Sequence, residues 1–205
     1  MNRFLSERSE TSKQELLKKV TLVKGDITQQ PDTDAIVVTI GTDLEIEGTL
    51  LKSVIAAAGN DFDAFILENI FSPRAGDVFV VPGFDLPVRH VIFVILPPWK
   101  DGFDREHAYL LRAYRHAIET ARSMFLRRIS FPALGTGSRG YPVERAARLG
   151  IEGIMDRLDE TFDEIRIVCD KRDTYMAFGR RLTQKGWKQQ KSPPPKSLPV
   201  KEDEV

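Results

Sequence analysis

Short apolar runs alternate with longer amphipathic segments along most of the chain. The apolar runs predict β-strands near residues 20–24, 34–40, 77–81, 89–95, 129–133 and 164–169. The amphipathic segments predict α-helices near residues 49–58, 104–125, 143–159 and 173–185. Several of the strands are apolar throughout, which is typical of strands covered on both faces. The alternation therefore predicts an α/β fold in which helices cover both faces of a mainly parallel sheet.

The second predicted helix repeats its apolar residues at helical spacing. The repeat consists of Leu110, Leu111, Tyr114, Ile118, Ala121 and Phe125. Residues at this spacing lie on one side of a helix. We therefore expect this side of the helix to face the hydrophobic core.

The two ends of the chain differ in composition from the middle. Residues 188–205 are rich in proline, lysine and acidic residues, and their three consecutive prolines cannot join a helix or the interior of a sheet. This composition predicts a disordered tail, with a polyproline ligand for an aromatic-lined partner as the alternative. Residues 1–18 form an N-terminal extension without the apolar core of a signal peptide. Residues 19–187 are then one domain.

Charge and cysteine content narrow the class of protein. The 30 basic and 30 acidic residues cancel, so no long-range field attracts nucleic acid or an anionic membrane. The longest apolar run, residues 91–96, is too short to span a membrane. The single cysteine, Cys169, excludes an internal disulfide and a cysteine-based zinc site, and it fits a reducing compartment. We expect a cytoplasmic protein without a metal site, a membrane contact or a nucleic-acid partner.

One glycine-rich segment, FPALGTGSRGYP at residues 131–142, has the spacing G-x-G-x-x-G at Gly135, Gly137 and Gly140. It follows a predicted strand and precedes a helix that begins near Pro142, so its backbone N–H groups can bind an anion. It belongs to a late βα unit, and no acidic residue ends a strand about 20 residues further on, so it does not match the dinucleotide-binding fingerprint. A tight turn that needs glycine only for its backbone conformation is the alternative.

Several segments together resemble the macrodomain family over residues 20–185. They are VKGDIT (23–28), DAIVVTIG (34–41), IAAAG (55–59), the run from RAGDV to LPPW (74–99) and ISFPALGTGSRGYP (129–142). The resemblance implies a three-layer α/β/α fold with a mixed, mostly parallel central sheet. It also implies a cleft for ADP-ribose, or for an ADP-ribosylated target, at the carboxyl ends of the strands. It implies no cofactor.

The resemblance implies ligand-binding roles for two motifs of this sequence. In the family, the aspartate of GDIT accepts a hydrogen bond from the adenine amino group, and here that residue is Asp26, with Ile27 beside it. An ionised carboxylate suits this task because it only accepts hydrogen bonds. An Asx-type turn is the alternative role for Asp26. The glycine-rich loop would line the diphosphate and the distal ribose with Gly135, Thr136, Gly137, Ser138, Arg139 and Gly140.

Two positions of the expected cleft depart from the family's aromatic residues. Arg139 replaces an aromatic residue near the distal ribose, and it is either a clamp on the ligand or a surface residue at the loop tip. Cys169, followed by Asp170, stands where relatives often stack an aromatic ring on adenine. The alternatives for Cys169 are a small core residue and a nucleophile, and no predicted basic neighbour would generate a thiolate.

The first loop departs furthest from the family. Val38 and Gly41 stand where the family has two asparagines, and Leu51 stands where an aspartate often follows. The family's glycine run becomes Glu47, Gly48, Thr49 and Leu50. In the hydrolases of the family, the second asparagine and the aspartate orient the distal ribose and help to activate water. Gly41 and Leu51 cannot do so, which closes the usual hydrolytic route.

Three functions therefore remain, in order of preference. The first is a module that binds ADP-ribose or a related nucleotide without hydrolysing it, through Asp26, Ile27, residues 48–50, residues 135–140, Cys169 and Asp170. The second is an ADP-ribosyl hydrolase or O-acetyl-ADP-ribose deacetylase with Asp43 or Glu47 as a substitute base. The third is a scaffold for protein contacts.

Overall fold

A computed structural model describes residues 13–101 and 105–189. Its strands are β1 (Val20–Lys24), β2 (Ala35–Ile40), β3 (Val78–Pro82), β4 (His90–Ile95), β5 (Arg128–Pro132) and β6 (Glu164–Cys169). Its helices are α1 (Gly48–Ala58), α2 (Phe62–Asn69), α3 (Glu106–Ser123), α4 (Val143–Arg157) and α5 (Arg172–Gln184). A further helical segment covers residues 13–17. The predicted tail lies outside the described residues from position 190 onwards.

The six strands form one mixed sheet in the order β1-β6-β5-β2-β4-β3. Every neighbouring pair is parallel except β3 and β4, which are antiparallel. This topology and the helices on both sides confirm the predicted three-layer α/β/α fold. Because β1, β6, β5, β2 and β4 run in the same direction, their carboxyl ends lie at one edge of the sheet.

Two hydrophobic clusters hold the helical layers on the sheet. One cluster joins α3, α4 and α5 to one face of the strands, with Tyr114, Phe131 and Phe178 fully buried. The other joins α1 and α2 to the opposite face, around Phe62 and Phe93. The helices therefore pack on the two faces of the sheet through apolar stripes. The loops at the carboxyl ends of the strands remain available for a functional site.

Three features differ from the sequence prediction. Helix α2 was not predicted, because it is only eight residues long and buries just Phe62 and Ile66. Phe125, predicted in the core, is 91% exposed, because α3 has ended and its φ of 58° turns the chain towards β5. Leu17, assigned to the extension, is buried in the first cluster, so the packed unit begins before residue 19.

A buried ionic network links β1, β5 and β6 to the loop that follows β1. The Arg166 guanidinium donates to both carboxylate oxygens of Asp32 over 2.7 Å and to both of Glu164 over 3.0 Å. Arg128 pairs with the same two carboxylates, at 3.3 Å and 2.7 Å. Two cations thus balance two anions where the side chains of Arg166, Asp32 and Glu164 are only 5–7% exposed.

These contacts move the pKa of both carboxyl groups. Hydrogen bonds from Arg166 hold the pKa of Asp32 below its ordinary value of 3.8, against the opposing effect of desolvation. For Glu164, burial by itself would raise the pKa, but hydrogen bonds from Arg166 and Thr21 outweigh it and keep the pKa below 4.5. Both groups are therefore ionised in the folded protein near neutral pH.

None of the helices in the described ranges is long and apolar enough to cross a membrane.

Candidate functional site

The loops that follow five parallel strands meet at the carboxyl edge of the sheet. Two backbone hydrogen bonds link segments that follow or end different strands of the sheet. The Gly25 N–H donates to the Cys169 carbonyl over 3.0 Å, and the Trp99 N–H donates to the Arg139 carbonyl over 2.7 Å. The predicted site residues of these loops therefore share one edge, which is the usual position of ligand clefts in open α/β sheets.

Asp26 lies directly after β1 and is exposed. Its Oδ1 accepts hydrogen bonds from the Thr28 backbone N–H and the Thr28 hydroxyl, both over 2.8 Å. This is the Asx-type turn that the sequence offered as an alternative. The turn fixes the carboxyl group at the edge of the sheet, so it is compatible with ligand binding. Ile27, the next residue, is 5% exposed and packs into the second hydrophobic cluster.

The glycine-rich loop between β5 and α4 presents free backbone donors. The N–H groups of Thr136, Gly140 and Tyr141 donate to carbonyls within the loop. Among the described residues, no acceptor is found for the N–H groups of Gly137, Ser138 and Arg139. A Cβ added to Gly137 would meet nothing within 4 Å, so the loop is open at that point. Consecutive free amides near a helix N-terminus are a typical anion-binding arrangement.

The loop keeps its shape through residues packed beneath it. Gly135 has a φ of 83°, and a Cβ there would lie 2.8 Å from the Tyr141 ring. Tyr141 is 2% exposed and its ring centroid lies 5.3 Å from that of Trp99. Burial raises the pKa of the Tyr141 hydroxyl, so it stays neutral. The sequence reasoning did not select Trp99, although it lies in the loop that begins after the apolar strand β4, four residues beyond Ile95.

Arg139 is buried and reaches across to the loop that follows β2. The residue is 6% exposed, and its Nη2 lies 3.2 Å from Glu47 Oε2. A Cβ added to Gly41 would lie 2.5 Å from Asp43 Oδ1 and 3.0 Å from both Nη atoms of Arg139. The Asp43 carboxylate and the Arg139 guanidinium therefore share the space next to the α-carbon of Gly41. Arg139 is not the surface residue that one interpretation of the sequence allowed.

The two loops also touch at Gly48 and Ser138. Gly48 has a φ of 76°, and a Cβ there would lie 2.6 Å from the Ser138 hydroxyl oxygen. Thr49 is exposed, Leu50 is half-buried against the second cluster, and Leu51 is 2% exposed within that cluster. Leu51 therefore faces the core rather than the edge, in addition to lacking a polar group.

Cys169 does not offer a surface to a ligand. Its side chain is fully buried in the first hydrophobic cluster, which corrects its assignment to the ligand-binding set. Burial raises the pKa of its thiol to about 12, although a hydrogen bond with Thr174 acts in the opposite direction. A thiol with this pKa is not a nucleophile at neutral pH. Asp170, one residue further on, is exposed at the edge of the sheet.

The two candidate bases are exposed carboxylates. Asp43 Oδ1 accepts a hydrogen bond from the Glu45 N–H over 3.1 Å, and the Glu47 side chain, 47% exposed, faces Arg139. Neither group lies in the water-excluded environment in which a carboxylate becomes an effective general base. Within the part of the chain that the structure describes, no cluster of His, Cys, Asp and Glu side chains could hold a metal ion.

Comparison with known proteins defines the family. The Macro domain family model matches residues 37–150. A macro domain-containing protein of Listeria monocytogenes is 30% identical over 80% of this chain and 97% of its own length. The O-acetyl-ADP-ribose deacetylase of Salmonella newport is 29% identical over 83% of this chain and 98% of its own. The protein thus belongs to the macro domain family, as the sequence resemblance predicted.

A solved structure gives a ligand-bound relative. The Oceanobacillus iheyensis macrodomain with ADP superposes with a TM-score of 0.74 at 29% identity, over 80% of this chain and 89% of that one. The fold of this chain is therefore that of a macrodomain crystallised with a nucleotide.

Proposed function

We propose that this macro domain binds ADP-ribose, or a related ADP-containing nucleotide, in the cleft at the carboxyl edge of its sheet. The observation that supports the proposal is the set of three N–H groups, at Gly137, Ser138 and Arg139, that have no acceptor among the described residues. They form an uncharged donor site for a diphosphate next to the N-terminus of α4. Asp26, fixed by its turn at the end of β1, supplies an acceptor for the adenine amino group.

We further propose that binding occurs without hydrolysis by the family's usual route. Gly41 has no side chain, and the space where one would begin lies 3.0 Å from the Arg139 guanidinium. Leu51 is turned into the core. The two positions that would orient the distal ribose and activate water are therefore both without a polar group. The O-acetyl-ADP-ribose deacetylase of Salmonella newport favours hydrolysis as the function, but only through the overall sequence similarity of the two chains.

Calorimetry with ADP-ribose tests the binding site. Asp26→Asn keeps the Oδ1 that accepts from Thr28 but removes the carboxylate, so we expect unchanged folding and about a 10-fold or greater loss of affinity. Asp159→Asn is the matched control, because Asp159 forms the same turn with Thr161 outside the cleft. The site as proposed is wrong if ADP-ribose gives no binding heat, or if both variants bind like the parent.

A turnover assay tests the absence of hydrolysis. The protein is incubated with O-acetyl-ADP-ribose and with an ADP-ribosylated protein, and free ADP-ribose is measured. We expect no release above the buffer rate. Release that is lost in Glu47→Gln or Asp43→Asn would instead establish a hydrolase with a substitute base.

A further inference from the structure

The Arg139 guanidinium is a buried cation with spare hydrogen-bond donors. Its side chain is 7% exposed, and Glu47 is the only carboxylate among the described residues that forms an ion pair with it. That ion pair occupies only the Nη2 end of a group that has five N–H donors. A buried guanidinium with unused donors is suited to receive a further anion.

The position of Arg139 places this charge between the two loops that line the cleft. Its backbone belongs to the loop of residues 133–142, while its side chain pairs with Glu47 of the loop after β2 and ends beside Gly41. Its carbonyl is held by the Trp99 N–H, which fixes the base of the side chain. Neighbouring residues thus hold the Arg139 cation in place, unlike that of a flexible surface arginine.

Glu47 is a weaker partner for Arg139 than a diphosphate would be. The carboxylate lies 3.2 Å from one nitrogen, and its side chain is 47% exposed, so water screens the pair and the cost of separating it is small. A diphosphate carries more charge and several acceptor oxygens, which match the planar donor set of arginine. Exchange of one partner for the other is therefore favourable.

We propose that Arg139 determines the ligand specificity of the cleft and that Glu47 competes with the ligand for the Arg139 guanidinium. This proposal rests on the proposed function. The diphosphate displaces the Glu47 carboxylate from the Arg139 guanidinium. Position 41 has no side chain, and Asp43 Oδ1 and the Arg139 guanidinium lie 2.5 Å and 3.0 Å from where one would begin, so the distal ribose lacks the contact that a polar side chain at position 41 would make. The cleft then recognises adenosine diphosphates by their charge, and ADP and ADP-ribose bind within about 3-fold of each other.

A set of charge variants tests the competition by calorimetry with ADP. Glu47→Gln removes the competitor and is expected to tighten binding by about 2- to 5-fold. Arg139→Gln removes the recognised cation and is expected to weaken binding by about 10- to 100-fold. In the Arg139→Gln background, Glu47→Gln should have no further effect, because the two residues act on one interaction.

Glu45→Gln is the matched control for the overall charge of the loop. Glu45 is exposed in the same loop, and its side chain forms no ion pair with the described residues. We expect its affinity for ADP to equal that of the parent protein. Equal tightening by Glu45→Gln and Glu47→Gln would overturn the proposal, because a general field would then explain the effect. A preference for ADP-ribose over ADP of more than about 10-fold would also overturn it.

Inorganic pyrophosphate separates this proposal from the proposed function. It contains the diphosphate without adenine or ribose, so Asp26 plays no part in its binding. If ADP-ribose fails to bind but pyrophosphate stabilises Glu47→Gln more than Arg139→Gln against heat, the nucleotide function fails and the role of Arg139 stands. If ADP-ribose binds in an Asp26-dependent way while the Glu47 and Arg139 variants bind like the parent, the function stands and the role of Arg139 is wrong. If no anion affects any variant, both are wrong.

Discussion

Removal of Asp32 from the buried ionic network should destabilise the fold strongly. Asp32→Ala takes away both 2.7 Å hydrogen bonds to Arg166 and the 3.3 Å contact with Arg128. Glu164 then faces two cations alone, and the network changes from neutral to a net charge of +1. Breaking a buried pair in this way costs about 3–5 kcal/mol, since the remaining cation has lost its water without a full set of partners.

Urea unfolding at pH 7, followed by tryptophan fluorescence, measures this cost. Trp187 is a suitable reporter because it is 7% exposed and its Nε1–H donates to the Val20 carbonyl. Glu152→Ala is the control, since its pair with Arg148 on α4 is exposed and should contribute no more than about 0.5 kcal/mol. If Asp32→Ala costs no more than Glu152→Ala, the network does not stabilise the fold as inferred.

The same network predicts how stability responds to acid. The pKa values of Asp32 and Glu164 are held below their unfolded values near 3.8 and 4.5. Their contribution is therefore complete above those values and is lost as the pH falls through the lower folded values. In Asp32→Asn, the free energy of unfolding should decline less steeply below about pH 3.8 than in the parent protein. Equal slopes would show that Asp32 titrates normally in the folded protein.

Other predictions follow from burial and backbone conformation. Gly135→Ala should lower the free energy of unfolding by about 1–3 kcal/mol in calorimetric melting, because of its positive φ and the close Tyr141 ring, whereas Gly137→Ala should cost less than about 1 kcal/mol. Cys169 should resist maleimide labelling at pH 7 until urea unfolds the protein, and rapid native labelling would contradict its burial. Phe125→Gly should stabilise the protein by about 0.5–1 kcal/mol, since Phe125 is exposed at a φ of 58°, and a loss of stability would refute this.

Local patterns made most of the fold predictable from the sequence. Strands β1 and β6 have the predicted bounds because their apolar runs are short and end sharply in polar residues. Helix α2 was not predicted, because two buried residues in a helix of eight do not make a recognisable apolar stripe. In β6 Ile165, Ile167 and Cys169 alternate with Glu164 and Arg166, so the sequence puts Cys169 on the same face as the two isoleucines. Its full burial there depends on the packing of α5, which no local pattern contains.

The position of the candidate site residues in the fold was predictable where one segment contains them. Asp26 and the loop of residues 135–140 lie at the edge of the sheet that the family pattern implied. The burial of Arg139 was not predictable, because it depends on residues of a distant loop. Trp99 likewise acts through a backbone bond to that loop, and a side-chain pattern does not reveal such a bond.

The departures at Gly41 and Arg139 are best understood as one structural change. Strands β2 and β5 are neighbours in the sheet, so the loops that follow them meet although they are far apart in the chain. A Cβ at position 41 would lie 2.5 Å from Asp43 Oδ1 and 3.0 Å from both Arg139 Nη atoms, so a larger residue there would displace these two side chains. The space that a side chain at position 41 would enter is therefore shared by a carboxylate of the β2 loop and the guanidinium of the β5 loop. The missing side chain at position 41 and the buried Arg139 cation therefore belong to one part of the structure, where the proposed role of Arg139 replaces a polar contact to ribose by charge recognition.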